Sequence, residues 1–382
     1  MAEGNIPVDI TLSAGEITAV RAPLERAALL PTRVYSDPKI FEIEKERIFA
    51  RSWLQVCHVS QIPKPGDFVV RNLLGEAVLA VRGRDDEIRI LSNVCRHRNT
   101  TLKRGSGSCK GNRIICPYHG WTYGLDGRLL AAPFMDEAEE FNRNEIKLPE
   151  FRHEVWHGFV FVNFDENAES LATTLADLEP AIAPFNLVEM EAFEIRRYTV
   201  NWNWKVSLEN FSEAYHQPWV HPTSAEHAFP AKLADYLDTT GTCSLFYLNE
   251  ANGEKVPTFA PPPQGASDEF LTRVSVFNVY PYFHSLCDPA SPLMLDFNIK
   301  DENTHELIWT VFLPKGSRRN PDIENQIEEI RKFLLPIWAE DTDVCLGVSQ
   351  GVQSRFTQQG RLSHMEKALH QFHNWWLDKM LA

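Results

Sequence analysis

No apolar run in this chain of 382 residues reaches the roughly 18 residues that would span a bilayer. The first residues, Met1 to Val8, have neither the basic n-region nor the apolar h-region of a secretory leader. Basic side chains are outnumbered, 38 Lys and Arg against 52 Asp and Glu, and the net charge of −14 disfavours nucleic acid and anionic membrane surfaces alike. Cysteine is scarce. Of seven, Cys57, Cys109, Cys243, Cys287 and Cys345 follow no pairing pattern that would suggest a disulfide scaffold. There is no Gly-x-Gly-x-x-Gly among the 19 glycines, no internal repeat and no low-complexity tract. These absences lead us to expect a soluble, cytoplasmic protein. Its 43% hydrophobic and 24% charged residues suffice for a packed core, and its length suits two domains.

What the chain does have is Cys95-Arg-His97 and, after 18 intervening residues, Cys116-Pro-Tyr-His119. Two thiolates and two imidazoles in this order can hold a [2Fe–2S] cluster, the Cys pair on one iron and the His pair on the other. Imidazoles in place of two thiolates raise the reduction potential, to about −150 to +300 mV. Such a cluster moves single electrons and transforms no substrate by itself. Two Cys and two His are also a structural zinc set. Zinc fingers, however, pair like with like, whereas each half here mixes the two. The runs Cys95-Arg-His97-Arg98 and Cys116-Pro-Tyr-His119-Gly-Trp-Thr-Tyr123 resemble the two cluster loops of Rieske proteins. One departure is Asn99, where that family often carries Gly; it alters a turn and not a ligand. Trp121 and Tyr123 are expected to pack over the cluster loop, as core or as redox tuning.

Residues 1–39 carry weak signals and are expected to form an N-terminal arm. Asp37 and Pro38, followed by apolar Ile40, Phe41, Ile48 and Phe49, predict a helix over 38–49. Short apolar strands at 68–70, 77–81, 88–94 and 158–162, with a hairpin across Leu125-Asp126-Gly127, outline an antiparallel β-domain over 40–165. Beyond a boundary at 165–167, strands are expected at 195–200, 274–282, 294–299 and 306–312. Helices are expected at 171–178, 202–215, 323–338 and 362–381, and a Pro-rich loop at 255–266. The fold class read from this pattern is α+β. A Rieske-like antiparallel β-domain precedes a catalytic domain (166–382) whose antiparallel sheet is flanked by helices.

A second site lies in Glu209-Asn-Phe-Ser-Glu213-Ala-Tyr-His216-Gln-Pro-Trp-Val-His221-Pro222. On a helix, Glu213 and His216 would share a face, and Pro218 would end that helix shortly after. His221 could then swing back to the same point. Two converging imidazoles supply two-thirds of a 2-His-1-carboxylate triad, which holds ferrous iron with open positions. Alone, His-x₄-His is a weak signal; downstream of the cluster motif it completes an electron-fed oxygenase.

With both motifs in place, the chain resembles the terminal oxygenase α subunit of the Rieske non-haem iron oxygenases, from roughly residue 53 to 375. The resemblance implies an acid third ligand within Trp338-Ala-Glu340-Asp341-Thr-Asp343, with Asp341 favoured and Glu340 and Asp343 the alternatives. It implies that Glu213 hydrogen-bonds a ligand His on one side and, on the other, a cluster His of a neighbouring subunit, matched here by His119. Asn210 resembles a residue near the iron. The implied cofactors are a [2Fe–2S] Rieske cluster, mononuclear Fe(II) and O₂. NAD(P)H would act through a separate reductase, with or without a ferredoxin, because this chain lacks a dinucleotide fingerprint. A homotrimer is implied as well.

The substrate is expected to be a small organic molecule. Glu in place of the usual Asp at 213, on a segment one residue shorter from Asn210, resembles the branch that oxidises carnitine, choline and glycine betaine. Tyr280, Tyr282, Phe283 and Trp219 are then candidates to face a cation. An aromatic acid is the competing substrate and would require Arg or Lys in the pocket. The rival from another class is a Rieske electron carrier without oxygenase activity. Trp202, Trp204 and Trp219 are expected in the core, and His227, His284, His305, His364, His370 and His373 match no motif.

Overall fold

Apolar runs broken by glycine turns build the first half of the chain. The computed structural model describes residues 12–382. Its early strands are β1 (Leu54–His58), β2 (Asp67–Leu73), β3 (Glu76–Arg82), β4 (Ile88–Ser92) and β5 (Ser106–Ser108). Next come β6 (Arg113–Ile115), β7 (Thr122–Gly124) and β8 (Leu129–Ala131), then β9 (Glu150–Trp156) and β10 (Phe159–Asn163). Seven of these pair antiparallel in the order β1-β10-β9-β4-β3-β2-β5, and β6-β7-β8 form a small sheet of their own. The β2–β3 hairpin closes over Leu74 and Gly75, both at positive φ, as a two-residue turn requires. Val78, Leu79, Ala80 and Val81 are fully buried, so β3 lies inside and the hairpin register is pinned.

The second half forms another seven-stranded antiparallel sheet. Its strands are β11 (Met190–Val200), β12 (Asp235–Tyr236), β13 (Cys243–Asn249), β14 (Arg273–Val279), β15 (Phe283–Cys287), β16 (Leu293–Asp301) and β17 (Thr304–Pro314). The order is β11-β17-β16-β15-β14-β13-β12. This is the α+β architecture expected from the sequence, although β13 and β15 went unread there. Both are buried on both faces, so neither shows the alternation that marks a half-exposed strand.

Three helical expectations need correction. The helix expected over 202–215 covers only Trp204–Asn210, capped by the Asn203 side chain. The one expected over 323–338 continues as Ile323–Gly351 through Pro336. Trp338, Asp341 and Cys345 keep one buried face at helical spacing, which outweighs the local acidity of Glu340, Asp341 and Asp343. The last helix is Lys367–Leu381; ahead of it, Arg361 and Leu362 pair with the N-terminal Ala28 and Ala27. That N-terminal segment holds the helix Ala14–Val20, started by a Ser13–Glu16 capping box and packed on the last helix. Residues 1–11 of the expected arm lie outside the described residues.

A buried ion pair ties these pieces together. Glu44, on the helix Pro38–Arg47, accepts from Lys205 Nζ at 2.6 Å, Trp376 Nε1 at 2.7 Å and Trp204 Nε1 at 3.0 Å. Both charged side chains are wholly shielded from solvent. Breaking one side of such a pair typically costs about 3–5 kcal/mol, because the remaining charge stays buried. Lys205→Met should therefore lower the thermal unfolding midpoint strongly. The double change Glu44→Gln with Lys205→Met should recover much of the loss. A single variant that melts with the wild type would mean that Glu44 does not depend on this cation.

Candidate metal centres

Two tight loops of the same design carry the first ligand set. In one, Cys95 N–H bonds the Thr100 carbonyl and Asn99 N–H bonds the Cys95 carbonyl. In the other, Cys116 N–H bonds the Trp121 carbonyl and Gly120 N–H bonds the Cys116 carbonyl. Asn99 and Gly120 both sit at positive φ, 55° and 70°, so Asn99 fills a left-handed position that Gly would favour and Asn tolerates. The Cys95 and Cys116 thiols are buried, while His97 and His119 are exposed with ring centroids 4.7 Å apart. Trp121 of the second loop stacks flat on His97 of the first, 4.8 Å away and within 6° of parallel. Tyr123 Oη lies 3.3 Å from Cys95 Sγ and accepts the Arg96 N–H at 3.1 Å. Two inward sulfurs, one beside a hydroxyl, and two outward imidazoles fit a mixed-ligand [2Fe–2S] cluster. Contacts to the sulfur and solvent exposure are the levers that set its potential.

The second set converges from two segments far apart in sequence. His216 Nε2 and His221 Nε2 lie 3.6 and 3.0 Å from Asp341 Oδ1, and one donor atom of each residue falls within 4.8 Å of the others. Asp341 rides on the long helix, whose Trp338, one turn earlier, packs among Tyr198, Trp202, Phe211 and Trp309 at centroid distances of 5.4 to 6.2 Å. The two histidines flank a four-residue helix, Gln217–Val220. Here the sequence reading is overturned: Glu213 and His216 do not share a helix, because helix 204–210 has already ended. Pro218 begins the short helix, in the first turn where its missing N–H costs nothing. Glu213 instead grips His216 within a turn. It accepts the His216 backbone N–H at 3.0 Å on one oxygen and meets Nδ1 at 2.5 Å with the other.

His221 is held in the same manner by a residue the sequence reading offered as an alternative ligand. Glu340 Oε2 meets His221 Nδ1 at 2.7 Å and also accepts from Ser224 Oγ at 3.0 Å. Asp343 is exposed and takes no part. Of the three acids, Asp341 is the one whose oxygen faces both Nε2 atoms. Burial pulls the His216 imidazole towards neutrality, but Glu213 and Asp341 outweigh it and raise its pKa. For His221 burial is likewise outweighed, by Asp341 and then Glu340. A carboxylate between two imidazoles, each backed by another carboxylate, fits a divalent cation with positions left open.

Glu213, His216, His221 and Asp341 line a cavity of about 470 Å³. Asn210 lines it too, and its buried Nδ2 has no partner. The aromatic walls are not those expected. Tyr280, Tyr282 and Phe283 are buried in the core, and Trp219 is 84% exposed, so it belongs neither to the core nor to the cavity. The rings present are Phe211, Phe229, Phe246, Phe259, Phe333 and Trp309. They come from elements scattered over more than a hundred residues, so no local signal marks them as a set. No Lys or Arg lines the cavity.

Two family models match the chain: "Rieske [2Fe-2S] domain" over residues 52–150 and "Ring hydroxylating alpha subunit (catalytic domain)" over 186–382. The carnitine monooxygenase oxygenase subunit of Escherichia coli is 38% identical over 343 residues, covering 88% of each chain. The large oxygenase component of the naphthalene 1,2-dioxygenase system of Pseudomonas aeruginosa is 38% identical over 200 residues, 50% of this chain and 44% of that one. Among solved structures, the quaternary ammonium Rieske monooxygenase CntA with L-carnitine superimposes with a TM-score of 0.77 at 26% identity, covering 93% of this chain and 96% of that one. Among the described residues, no helix is long and apolar enough to cross a membrane.

The grip on His221 makes a testable difference. Glu340→Gln should weaken ferrous-ion affinity by about 10–100-fold, the usual effect of losing a carboxylate behind a ligating imidazole. The raised imidazole pKa values also fix a sign. In the metal-free chain, protonated His216 and His221 stabilise the fold below the free-imidazole value of 6.5, and that contribution is lost as pH rises through their raised values. Metal needs the neutral rings, so protons compete with it. Ferrous-ion affinity should rise with pH through and above 6.5, with proton release in calorimetry. A flat profile across this range, or a Glu340→Gln variant with wild-type affinity, would contradict the assignment.

Proposed function

This chain belongs to the Rieske oxygenases as a ring-hydroxylating α subunit, and on that premise we propose that it hydroxylates a carbon attached to a quaternary ammonium nitrogen, with C–N cleavage following. The observation that carries the reading is a cavity at His216, His221 and Asp341 with aromatic walls and no basic side chain. An aromatic acid would need a cationic partner there. A methylated ammonium ion suits aromatic faces. Similarity to carnitine monooxygenase oxygenase subunits over most of the chain supports the same choice.

In this reading Cys95 and Cys116 hold one iron of the cluster and His97 and His119 the other, while His216, His221 and Asp341 hold the ferrous ion. When bound, the cluster supplies single electrons and the ferrous ion supplies open positions for O₂. Glu213 keeps His216 Nδ1 protonated and Glu340 does the same for His221, so both rings present Nε2 to the metal. Asn210 offers its free amide N–H to whatever occupies the cavity. Overall, one oxygen atom enters the C–H bond and the other leaves as water, with two electrons and two protons supplied. Loss of the amine then releases a carbonyl product. A reductase oxidising NAD(P)H would feed the electrons, with or without a ferredoxin, in the cytoplasm.

We also propose a division into an arm (1–39), a cluster domain (40–165) and a catalytic domain (166–382). Copies would assemble head to tail as a trimer, with the exposed His119 of one reaching Glu213 of the next. Such an interface closes only at a fixed rotation.

Iron analysis of anaerobically purified protein should give three irons per chain for an oxygenase, and two would favour a pure electron carrier. His216→Ala should lose the mononuclear iron and all oxygenation while the visible spectrum of the cluster persists; collapse of that spectrum would argue against two independent sites. Glu213→Gln should weaken ferrous-ion affinity as Glu340→Gln does. With ferrous ion added to saturation both centres should be loaded and the cluster should still reduce, but single-turnover oxidation of the cluster should stall. Oxidation at the wild-type rate would remove Glu213 from the electron route.

A further inference from the structure

The wall of the 470 Å³ cavity contains one carboxylate that the metal site does not use. Asp288 follows β15 in the turn Asp288-Pro-Ala-Ser291-Pro292 that leads into β16. Its Oδ1 accepts the backbone N–H of Ala290 at 2.8 Å and of Ser291 at 2.7 Å, and its Oδ2 accepts from Ser291 Oγ at 2.7 Å. These three donors fix its direction. Among the described residues, the cavity lining offers no Lys or Arg to pair with it. Burial pushes its carboxyl upward, with the three donors opposing the shift. An acid in such a place is unusual, since recessed charges are normally paired.

A turn cap does not explain the charge. Capping needs an oxygen acceptor, and Asn would supply one equally well. What Asn could not supply is a negative charge on a wall made mostly of apolar and aromatic side chains. We propose that Asp288 is a specificity-determining residue that anchors a positively charged nitrogen of the substrate inside this cavity. The inference rests on the reading of the cavity as the substrate site, and it deepens the substrate class by naming the counter-ion. The aromatic rings would take up the methyl groups and the faces of the cation, while Asp288 compensates its charge.

Calorimetric titration of the iron-loaded protein under anaerobic conditions tests this with choline and its neutral isostere, in which carbon replaces the ammonium nitrogen. The wild type should bind choline about tenfold or more tightly than the isostere. Asp288→Asn keeps the Oδ1 acceptor for the two backbone N–H groups, with its amide donating to Ser291 Oγ instead, and should abolish that preference, leaving isostere affinity and melting temperature unchanged. Ser291→Ala disturbs the same turn without removing the charge and should keep the preference, which guards against a folding artefact. If Asp288→Asn still prefers choline, Asp288 is not the anchor, although the quaternary-ammonium reading survives. If the wild type does not prefer choline, a protonated tertiary benzylamine is titrated in the same way. Tight binding that disappears in Asp288→Asn would keep the anchor and discard the quaternary substrate. No Asp288-dependent binding of either cation would overturn the proposal.

Discussion

The seat of Trp338 against the large sheet is the contact on which the catalytic centre depends. Asp341 and the two histidines are more than a hundred residues apart, and no local interaction brings them together. The indole of Trp338 packs among rings from β11, β17, the segment before helix 204–210 and the turn after it. It thereby registers the long helix on the sheet, and Asp341, one turn further on, inherits that position. Phe211 belongs to both sides of the arrangement. It stacks near Trp338 and on His284, whose Nδ1 is held by Asn278 at 2.7 Å. Asn278 in turn donates to Ser212 Oγ at 3.0 Å, so the turn that carries Glu213 and His216 is tied to the interior of the same sheet.

Around this frame the ligands obey one rule. Each metal-facing imidazole nitrogen has its opposite nitrogen held by a carboxylate, Glu213 for His216 and Glu340 for His221. Such backing fixes tautomer and ring orientation and increases the basicity of the donor. The two centres differ in where they meet solvent. At the cluster loops the sulfurs are inside and the imidazoles outside, whereas at the second site the imidazoles are largely enclosed and the cavity is walled by phenyl rings.

Much of this was legible in the sequence, and the reasons differ by residue. Cys95, His97, Cys116 and His119 announce themselves because a cluster fixes both donor type and short-range spacing. His216 and His221 are visible for the same reason once the first motif is known. The helix that was read through Glu213 failed because its periodicity fades after Asn210, where side-chain bonds to the sheet replace helical ones. The reading of Glu340 was half right: its acidity was noticed, but whether an acid binds metal or backs a histidine depends on the direction of its side chain. Aromatic walls and Asp288 were invisible, since they converge from many elements through tertiary packing alone. Trp219 misled in the opposite way, because size and aromaticity do not guarantee burial.

The attachment of Asp341 has a mechanical consequence. Asp341 stands inside a helix of 29 residues, and Trp338 on the same face is locked among other rings. Its carboxylate can shift appreciably only if that packing yields, and close-packed interiors resist such displacement. His216 and His221 flank one short turn of helix, whose backbone bonds are local: Val220 N–H to the His216 carbonyl and His221 N–H to the Gln217 carbonyl. The carboxylate side of the site is thus placed by a long packed helix, and the imidazole side by a local turn tied to the sheet through Ser212 and Asn278. The carboxylate and the imidazoles therefore take their positions from separate segments, and the spacing between them is set by how the long helix seats on the sheet.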